Sequence, residues 1–445
     1  MTHPLHSHHP FTPRHRWKVL GAGVAANTAF SIAFSGIPMT AVLMRTGYRL
    51  DNATLGLVLG LMGLGIAVSE LPWGLLTDRW GDRPVLLLGL GATALALAAM
   101  ALWAAPAADR IPGLGLLGGG LLLVGLLGGS VNGASGRAVM TWFAAGERGL
   151  AMSIRQTAVP LGGGIGALVL PYVALHFGFA ALYGVLALAC ALSAWMAWAW
   201  VHEPPVERAA QDATSTQAAA SSPQRAGPLR DPRVWRIVAG IGLLCAPQFA
   251  VLSFGTVFLH DFGHAGFATI TATMVAVQAG AMVMRVWSGR WTDRRRNRPA
   301  YLRACSGLSV LLFALLAGLV LASGAHGVGG SAALRVALVV LVGAGGICVS
   351  AWHGVAYTEL ATLAGAARAG TALGMANTSV FLVCFVTPFS IPHLMAARGW
   401  PLVWLAAAGC ALAAMPLLVP RAPASGQPNA GEKQGRAGTA KAEAF

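Results

Sequence analysis

Charge is scarce in this chain. Only 10% of its 445 residues are Asp, Glu, Lys or Arg, and the acids number 15 against 30 Lys and Arg. So few charges cannot cover the surface of a water-soluble protein of this length. A hydrophobic content of 56% and a mean hydropathy of +0.66 instead suit a lipid solvent. Enzyme signatures are also missing. Neither a G-x-x-x-x-G-K-S/T phosphate loop nor an H-E-x-x-H helix occurs, so ATP-driven work and zinc-protease chemistry have no support. Gly113 to Gly118 matches G-x-G-x-x-G, but it opens an apolar run, follows no strand and has no acid to read a ribose, so it reads as helix packing. The cysteines, Cys190, Cys245, Cys305, Cys348, Cys384 and Cys410, stand one to a run without C-x-x-C spacing. They read as small buried hydrophobes, neither a disulfide framework nor a metal site. With no catalytic cluster and no cofactor motif, the expectation is a protein that is not an enzyme and carries no cofactor.

What is present is a series of apolar runs of about 20 residues or more, each able to cross a hydrocarbon layer of roughly 30 Å. They fall at Trp17–Ala41, Ala53–Trp73, Val85–Ala105, Leu114–Phe143, Leu150–Leu175 and Ala180–Val201, then at Val234–Leu259, Ala268–Trp287, Tyr301–Ser323, Leu334–Leu360, Thr371–Met395 and Leu402–Val419. In lipid the backbone must satisfy its own hydrogen bonds, so the runs are expected to be helices, twelve in all. The first run is too long for a signal-peptide core and is expected to stay. The net charge of +15 could suit nucleic acid, but the basic residues stand in short loops between runs, where the positive-inside rule accounts for them. With the N-terminus inside, cytoplasmic segments hold about twenty Lys and Arg, among them Lys18, Arg230, Arg233, Arg296 and Arg368, against about five on the other side, such as Arg45, Arg49, Arg110 and Arg398. Both termini are therefore expected in the cytoplasm. The domains expected are a tail (1–16), a six-helix bundle (17–201), a polar linker (202–232), a second bundle (233–420) and a tail (421–445). The first tail holds His3, His6, His8, His9 and His15. It could bind metal, or simply be a solvated tail, since prolines interrupt it and no Cys or acid completes a site.

One stretch organises the rest. Gly74-Leu75-Leu76-Thr77-Asp78-Arg79-Trp80-Gly81-Asp82-Arg83-Pro84 returns roughly 215 residues later as Gly289-Arg290-Trp291-Thr292-Asp293-Arg294-Arg295-Arg296-Asn297-Arg298-Pro299. A repeat at half the chain length indicates two copies of one unit. The halves also match at Gly149 and Gly370, Thr157 and Thr378, and Pro171 and Pro392. The first turn resembles the signature loop between helices two and three of the major facilitator superfamily of secondary transporters, and the second stands where that family carries a degenerate copy. Arg295 is expected in place of the glycine, Gly81, so the second turn should differ in shape. Trp142-Phe143 followed by Glu147-Arg148-Gly149 is similar to the family's junction of helices four and five. Arg155-Gln156-Thr157, with Pro160, Gly162 and Gly163, resembles a helix of the cyanate and nitroimidazole permease group. Val159 departs from the antiporter signature of that helix, which leaves drug antiport unsupported.

The resemblance implies two pseudo-symmetric six-helix bundles in the inner membrane, with the solute bound between them near the midplane. Arg155 lies about 10 Å inside helix five at 1.5 Å per residue. A cation at that depth needs water, a ligand or a partner. It could hold an anionic solute, since a guanidinium fork matches a carboxylate, or pair structurally with Glu147 or Glu359. Two acids lie within helices, Glu70 and Glu359. Each could carry a coupling proton or act as a gate charge, and Glu70 occupies the repeat position of Arg285. Asn27, Asn132, Gln156, Gln248, Gln278, His353 and Asn377 are polar near midplane, and Trp352 and Phe381 could line the cavity with them. Each could instead be an interhelical hydrogen bond or packing residue. By resemblance, Asp78 meets the start of helix eleven near Gly370 and Asp293 the start of helix five near Gly149, where the helix dipole favours an acid. Arg79, Arg83, Arg137, Arg148, Arg294 and Arg298 would complete these gates. The expected function is ion-coupled transport of a small solute, with a proton as the coupling ion and an organic anion as cargo, by a monomer. The alternative is export of hydrophobic or cationic compounds, and a non-transporting receptor would need a sensory domain that is absent. Asp78→Asn is expected to slow transport while leaving the amount of protein intact. Unchanged rates in proteoliposomes would count against a gating role.

Overall fold

The structure is a computed structural model that describes residues 14–107, 109–143, 147–202, 228–324, 331–364 and 369–418. The histidines His3, His6, His8 and His9, most of the linker, Arg368, the C-terminal tail and the side chain of Arg148 lie outside the described residues. All regular structure among the described residues is helical. The first half holds α1 (His15–Gly47), α2 (Asn52–Trp80), α3 (Asp82–Ala104), α4 (Leu114–Trp142), α5 (148–177) and α6 (179–200). The second holds α7 (Pro232–Asp261), α8 (Phe267–Arg295), α9 (Arg298–Ser323), α10 (Ala332–Ala364), α11 (Ala369–Arg398) and α12 (Trp400–Leu418). Among the described residues, eleven helical stretches are long and apolar enough to cross a membrane, with α5 and α6 forming one of them, Ile154–Trp200.

The separation of α5 from α6 follows from length. The apolar helical stretch Ile154–Trp200 has 47 residues, about 70 Å at 1.5 Å per residue, twice the layer it has to cross. It reverses at Gly178, where φ is 78° and ψ 177°, a backbone state open to glycine and strained for other residues. The same device recurs at Gly399 (φ 71°) between α11 and α12. Each glycine stands seven residues after a matched proline, Pro171 or Pro392, so the internal repeat reaches the turns as well as the helices.

The charged turns confirm and correct the expectation drawn from them. Gly81 takes φ 87° and ψ 171°. The residue at its place in the second copy is Arg296, one position beyond the expected Arg295, and it takes φ 50° and ψ 36°. The two turns do differ in shape. Helices α2 and α8 run on to Trp80 and Arg295, well past the expected ends at Trp73 and Trp287. Hydropathy falls where a helix leaves the apolar layer, but the helix itself stops only at a residue with left-handed backbone.

Within the first half, backbones meet at small residues. A Cβ on Gly36 of α1 would lie 2.8 Å from the Gly166 Cα of α5, and one on Gly125 of α4 would lie 2.1 Å from the Met62 oxygen of α2. The tightest contact between halves is α2 against α11. A Cβ on Gly56 would lie 2.2 Å from the Pro388 oxygen, one on Gly60 2.8 Å from the Phe385 oxygen, and one on Gly63 3.0 Å from the Cys384 carbonyl carbon. These glycines recur at helical spacing on one face of α2, in the half of the helix away from the chain termini. Two antiparallel helices thus form a seam at the end of the molecule opposite the termini. A phenylalanine cluster joins the halves deeper in, with Phe34 of α1 5.6 Å from Phe249 of α7 and 5.6 Å from Phe381 of α11. Gly56→Val should part this seam, since the added carbons meet backbone and not a movable side chain. Labelling of Cys384 by a membrane-permeant maleimide, in a background with the other five cysteines changed to serine, should rise several-fold. Unchanged labelling would show that the seam does not set the closure.

Candidate functional site

The candidate site lies between the halves, where the α2–α11 seam ends. Glu70 stands seven residues beyond Gly63 on α2, and Asn377 stands seven residues before Cys384 on α11. In an antiparallel pair these two positions face each other two turns along from the Gly63–Cys384 contact. Asn377 Nδ2 donates to Glu70 Oε1 at 3.3 Å, and Tyr357 of α10 donates its hydroxyl to Asn377 Oδ1 at 2.8 Å. The other Glu70 oxygen, Oε2, is buried without a hydrogen-bond partner. A line of side chains therefore crosses from one half to the other, with its acid on α2 and its phenol on α10.

Arg155 of α5 is 4% exposed. Its Nε donates to Ser135 Oγ at 3.0 Å and its Nη2 to the Asn132 carbonyl at 2.7 Å, both on α4. Gly136 leaves room for it, since a Cβ there would lie 3.7 Å from the Arg155 Cζ. Neither of the two acids expected as its structural partner reaches it. Glu147 instead pairs with Arg16 at 2.5 Å, and Glu359 lies 4.0 Å from Arg298. The acid whose charge acts on Arg155 is Glu70, at more than the 4.0 Å of a direct ion pair. The fork is thus fixed in place by neutral acceptors, its charge uncancelled by contact.

The remaining candidates divide. Gln278 of α8 lies at the axis, where a Cβ on Gly163 of α5 would come within 2.2 Å of its Nε2. Asn27 is 1% exposed with Nδ2 unpartnered, and Gln248 is buried with Oε1 unpartnered. His353 stacks on Trp352 with centroids 3.8 Å apart and shares its Nδ1 with the Ser350 carbonyl at 3.3 Å. Trp352 itself is fully buried. It backs the stack of His353 and Tyr357 and lines no opening, against the expectation. Gln156 is exposed, whereas its repeat partner Asn377 reaches Glu70. Phe381 packs on Phe34. Glu359 stands at the end that carries the termini, in the company of Arg298, and not with the central groups. Tyr357, absent from the sequence-based candidates, is the residue through which α10 joins the site.

The two charged turns hold to their own halves. Arg137 donates to the Thr77 carbonyl and lies 4.0 Å from Asp78 and 3.7 Å from Asp82. Arg83 donates to the Trp198 carbonyl at 2.9 Å. Arg298 donates to Asp293 at 3.0 Å and lies 3.4 Å from the Thr362 hydroxyl. Arg79 and Arg294 are exposed. Asp78 and Asp293 have side chains 77% and 64% exposed, and among the described residues their ion pairs stay within their own halves.

The opposite end is closed by charge as well as by the seam. Arg45 at the end of α1 grips Asp261 at the end of α7 with two hydrogen bonds, one of them 2.6 Å, and a third reaches Asn52 at 3.2 Å. His260 adds a contact to the same carboxylate at 2.7 Å. Among the described residues this is the one ion pair that crosses between halves. Nearby, Tyr48 ties α1 to α3 and α6 through the Ala104 carbonyl at 2.8 Å and the Tyr183 hydroxyl at 3.0 Å. Asp51 caps α2, and the hydroxyl and amide of Thr54 hold its carboxyl below the usual carboxylate range. Neither Arg45 nor Asp261 stood out in the sequence as a gate.

Three comparisons bear on this arrangement. The family model described as Major Facilitator Superfamily matches residues 22–388. An uncharacterized MFS-type transporter of Mycobacterium tuberculosis is 31% identical over 412 residues, covering 89% of this chain and 85% of that one. The crystal structure of a D-xylose-proton symporter superposes with a TM-score of 0.73 at 17% identity, over 91% of this chain and 98% of that chain. A bacterial homologue of the human lysosomal transporter Spinster does so at 0.65 and 15%, over 92% of this chain and 95% of that chain. At these identities the solved structures carry the fold alone. If the far end must open for the site to be reached from that side, cysteines in place of both Arg45 and Asp261 should stop solute flux once oxidised, and a reductant should restore it. Full flux in the cross-linked protein would show that the closure is permanent.

Proposed function

The chain belongs to the major facilitator superfamily, and from that premise we propose that it moves a small organic anion across the cytoplasmic membrane, coupled to protons, by alternating access. The observation that carries this is Arg155, a guanidinium buried at the axis and steered by Ser135 and Asn132 so that its charge stays available. A cation held at that depth without a contacting acid is costly, and a bound anion offsets the cost. A carboxylate docking on a prearranged fork gains two parallel hydrogen bonds without first ordering the side chain.

Glu70 is the group proposed to carry the proton. Its Oε1 takes one hydrogen bond from the opposite half, and its Oε2 is buried and free to hold a hydrogen. Neutralising Glu70 removes the one carboxylate among the described residues whose charge acts on Arg155, which leaves the arginine to the solute. The cycle then runs as follows. With termini inside, the Arg45–Asp261 pair and the α2–α11 seam would hold the outer side closed in one state of the cycle, with the site reached from the cytoplasm. Solute and proton leave inward, the inner ends close, the outer pair parts, and the site faces out. Glu359 is better placed to steady the inner turn with Arg298 than to carry a proton. Export of a cationic compound would need an acid free to receive it. Glu70, flanked by Arg155 and already bonded to Asn377, serves that role poorly.

Uptake of radiolabelled carboxylates into proteoliposomes, with and without an inward proton gradient, tests both parts. Arg155→Ala should abolish anion uptake, and Glu70→Gln should keep exchange of anion for anion while losing accumulation driven by the gradient. Accumulation that survives in Glu70→Gln would remove Glu70 from the coupling path, and cationic dyes moved in place of anions would defeat the anion reading.

A further inference from the structure

Arg285 of α8 occupies the position in the second half that Glu70 occupies in the first. A gate of opposite charges at equivalent positions would bring the two together, yet they form no ion pair within 4.0 Å. Arg285 is half-buried, its Nε is buried without a hydrogen-bond partner, and no carboxylate of a described residue lies within ion-pair distance of it. The groups that feel its charge are Tyr357, Cys245 and His353. None of these is an acid of the carboxylate kind.

The placement of Arg285 follows from the helix geometry. Gln278 lies seven residues earlier on α8, two turns away on the same face, and it already rests on Gly163 of α5. Arg155 lies eight residues before Gly163 on α5. The two helices run in opposite directions here. Arg285 is thus about 10 Å, and Arg155 about 12 Å, from the Gln278–Gly163 contact, both toward the end that carries the termini. Two guanidinium groups, one from each half, stand at matching depth on helices that touch. Between them runs the line from Glu70 through Asn377 to Tyr357.

We infer that Arg285 is the second anion ligand of this site, and that the solute is a small molecule with two anionic groups, one for each arginine. This rests on the anion reading above and narrows it. The charge balance supplies the reason. Two arginines against one ionised Glu70 leave a single positive charge, which a monoanion would cancel with no proton taken up. With Glu70 protonated, two positive charges remain, and a dianion cancels both. Only the dianion makes the loaded site neutral and the proton obligatory at once. A neutral load is what a site closed off from water between two apolar half-bundles favours. Because the arginines sit on opposite halves, such a solute also bridges them, so its binding draws the halves together.

The test uses the full chain, purified, with two readouts. Without solute, Arg285→Gln removes a half-buried charge that has no ion-pair partner among the described residues, so its melting temperature should rise above the parent's. A fall would mean that Arg285 is paired within the protein and would overturn the inference. In proteoliposomes with a proton gradient, matched mono- and dicarboxylates of about three to six carbons are compared. The parent should accumulate dicarboxylates, Arg285→Gln should lose that uptake by about tenfold or more, and Arg285→Lys should restore part of it. Accumulation of monocarboxylates alone by the parent would overturn the two-anion inference while leaving the anion transporter standing. Accumulation of neither class, with Arg155→Ala indistinguishable from the parent, would overturn both.

Discussion

A guanidinium in a membrane-spanning bundle has to be accounted for, and most of the site follows from that requirement. Water is absent from the hydrocarbon layer, the charge cannot readily be given up, and an unmatched cation there costs several kcal/mol. Arg155 meets the requirement halfway. Its Nε and one Nη2 hydrogen are held by an Oγ and a carbonyl on α4, so its geometry is fixed, but those acceptors are neutral and leave the field of the charge intact. Arg285 meets it less, with Nε unmatched. A bundle that needed these residues only for packing would do better with leucine. The proposed anionic solute, arriving from outside the chain, would account for their presence at the axis.

The two ends of the molecule are held by different physics. At the far end, glycines on one face of α2 let backbone lie on backbone against α11, and a two-pronged Arg–Asp pair clamps α1 to α7. Close packing there is short in range, so it is lost over a small separation of the halves, whereas the ion pair acts at longer distance and guides the ends back into register. At the other end the charged turns are braced inside their own halves, by Arg137 on the first and Arg298 on the second. Each turn is therefore a rigid feature before it meets anything. A preformed acid can dock on a helix end without an ordering cost, and it can leave again without unfolding its own turn.

How much of this was legible in the sequence depends on the range of the interaction involved. The twelve runs, the duplicated turn and the matched prolines are local patterns, and the structure contains them with helix ends shifted where a left-handed residue, not hydropathy, sets the stop. Arg155 was legible because a single charge in a long apolar run is conspicuous. Tyr357 was not, because a tyrosine in such a run looks like any other large side chain until the partner of its hydroxyl is known. Arg45 and Asp261 lie at the ends of their helices, where charges are ordinary, and 216 positions separate them. Nothing local marks them as a pair. Trp352 failed in the opposite sense. It stands at the right depth for a cavity wall, but the turn at Ser350–Trp352 rotates it into the interior and presents His353 in its stead.

The connection between cargo and closure lies in one pair of helices. Gly56, Gly60, Gly63 and Glu70 lie on one face of α2, and Cys384 and Asn377 answer the last two on α11. The Glu70–Asn377 hydrogen bond is therefore the final rung of the same seam that shuts the far end. The rung is strong when Glu70 is ionised, because a hydrogen bond to a carboxylate outweighs one to a neutral acid. A proton on Glu70 weakens it, and a solute that draws Arg155 away from Glu70 changes the field in which it forms. Both events act on the seam from its inner end, and through α2 and α11 they reach the glycine contacts two to four turns away. No separate relay is needed for the proposed site to influence the gate, since the helices that carry Glu70 and Asn377 are the helices that form the seam.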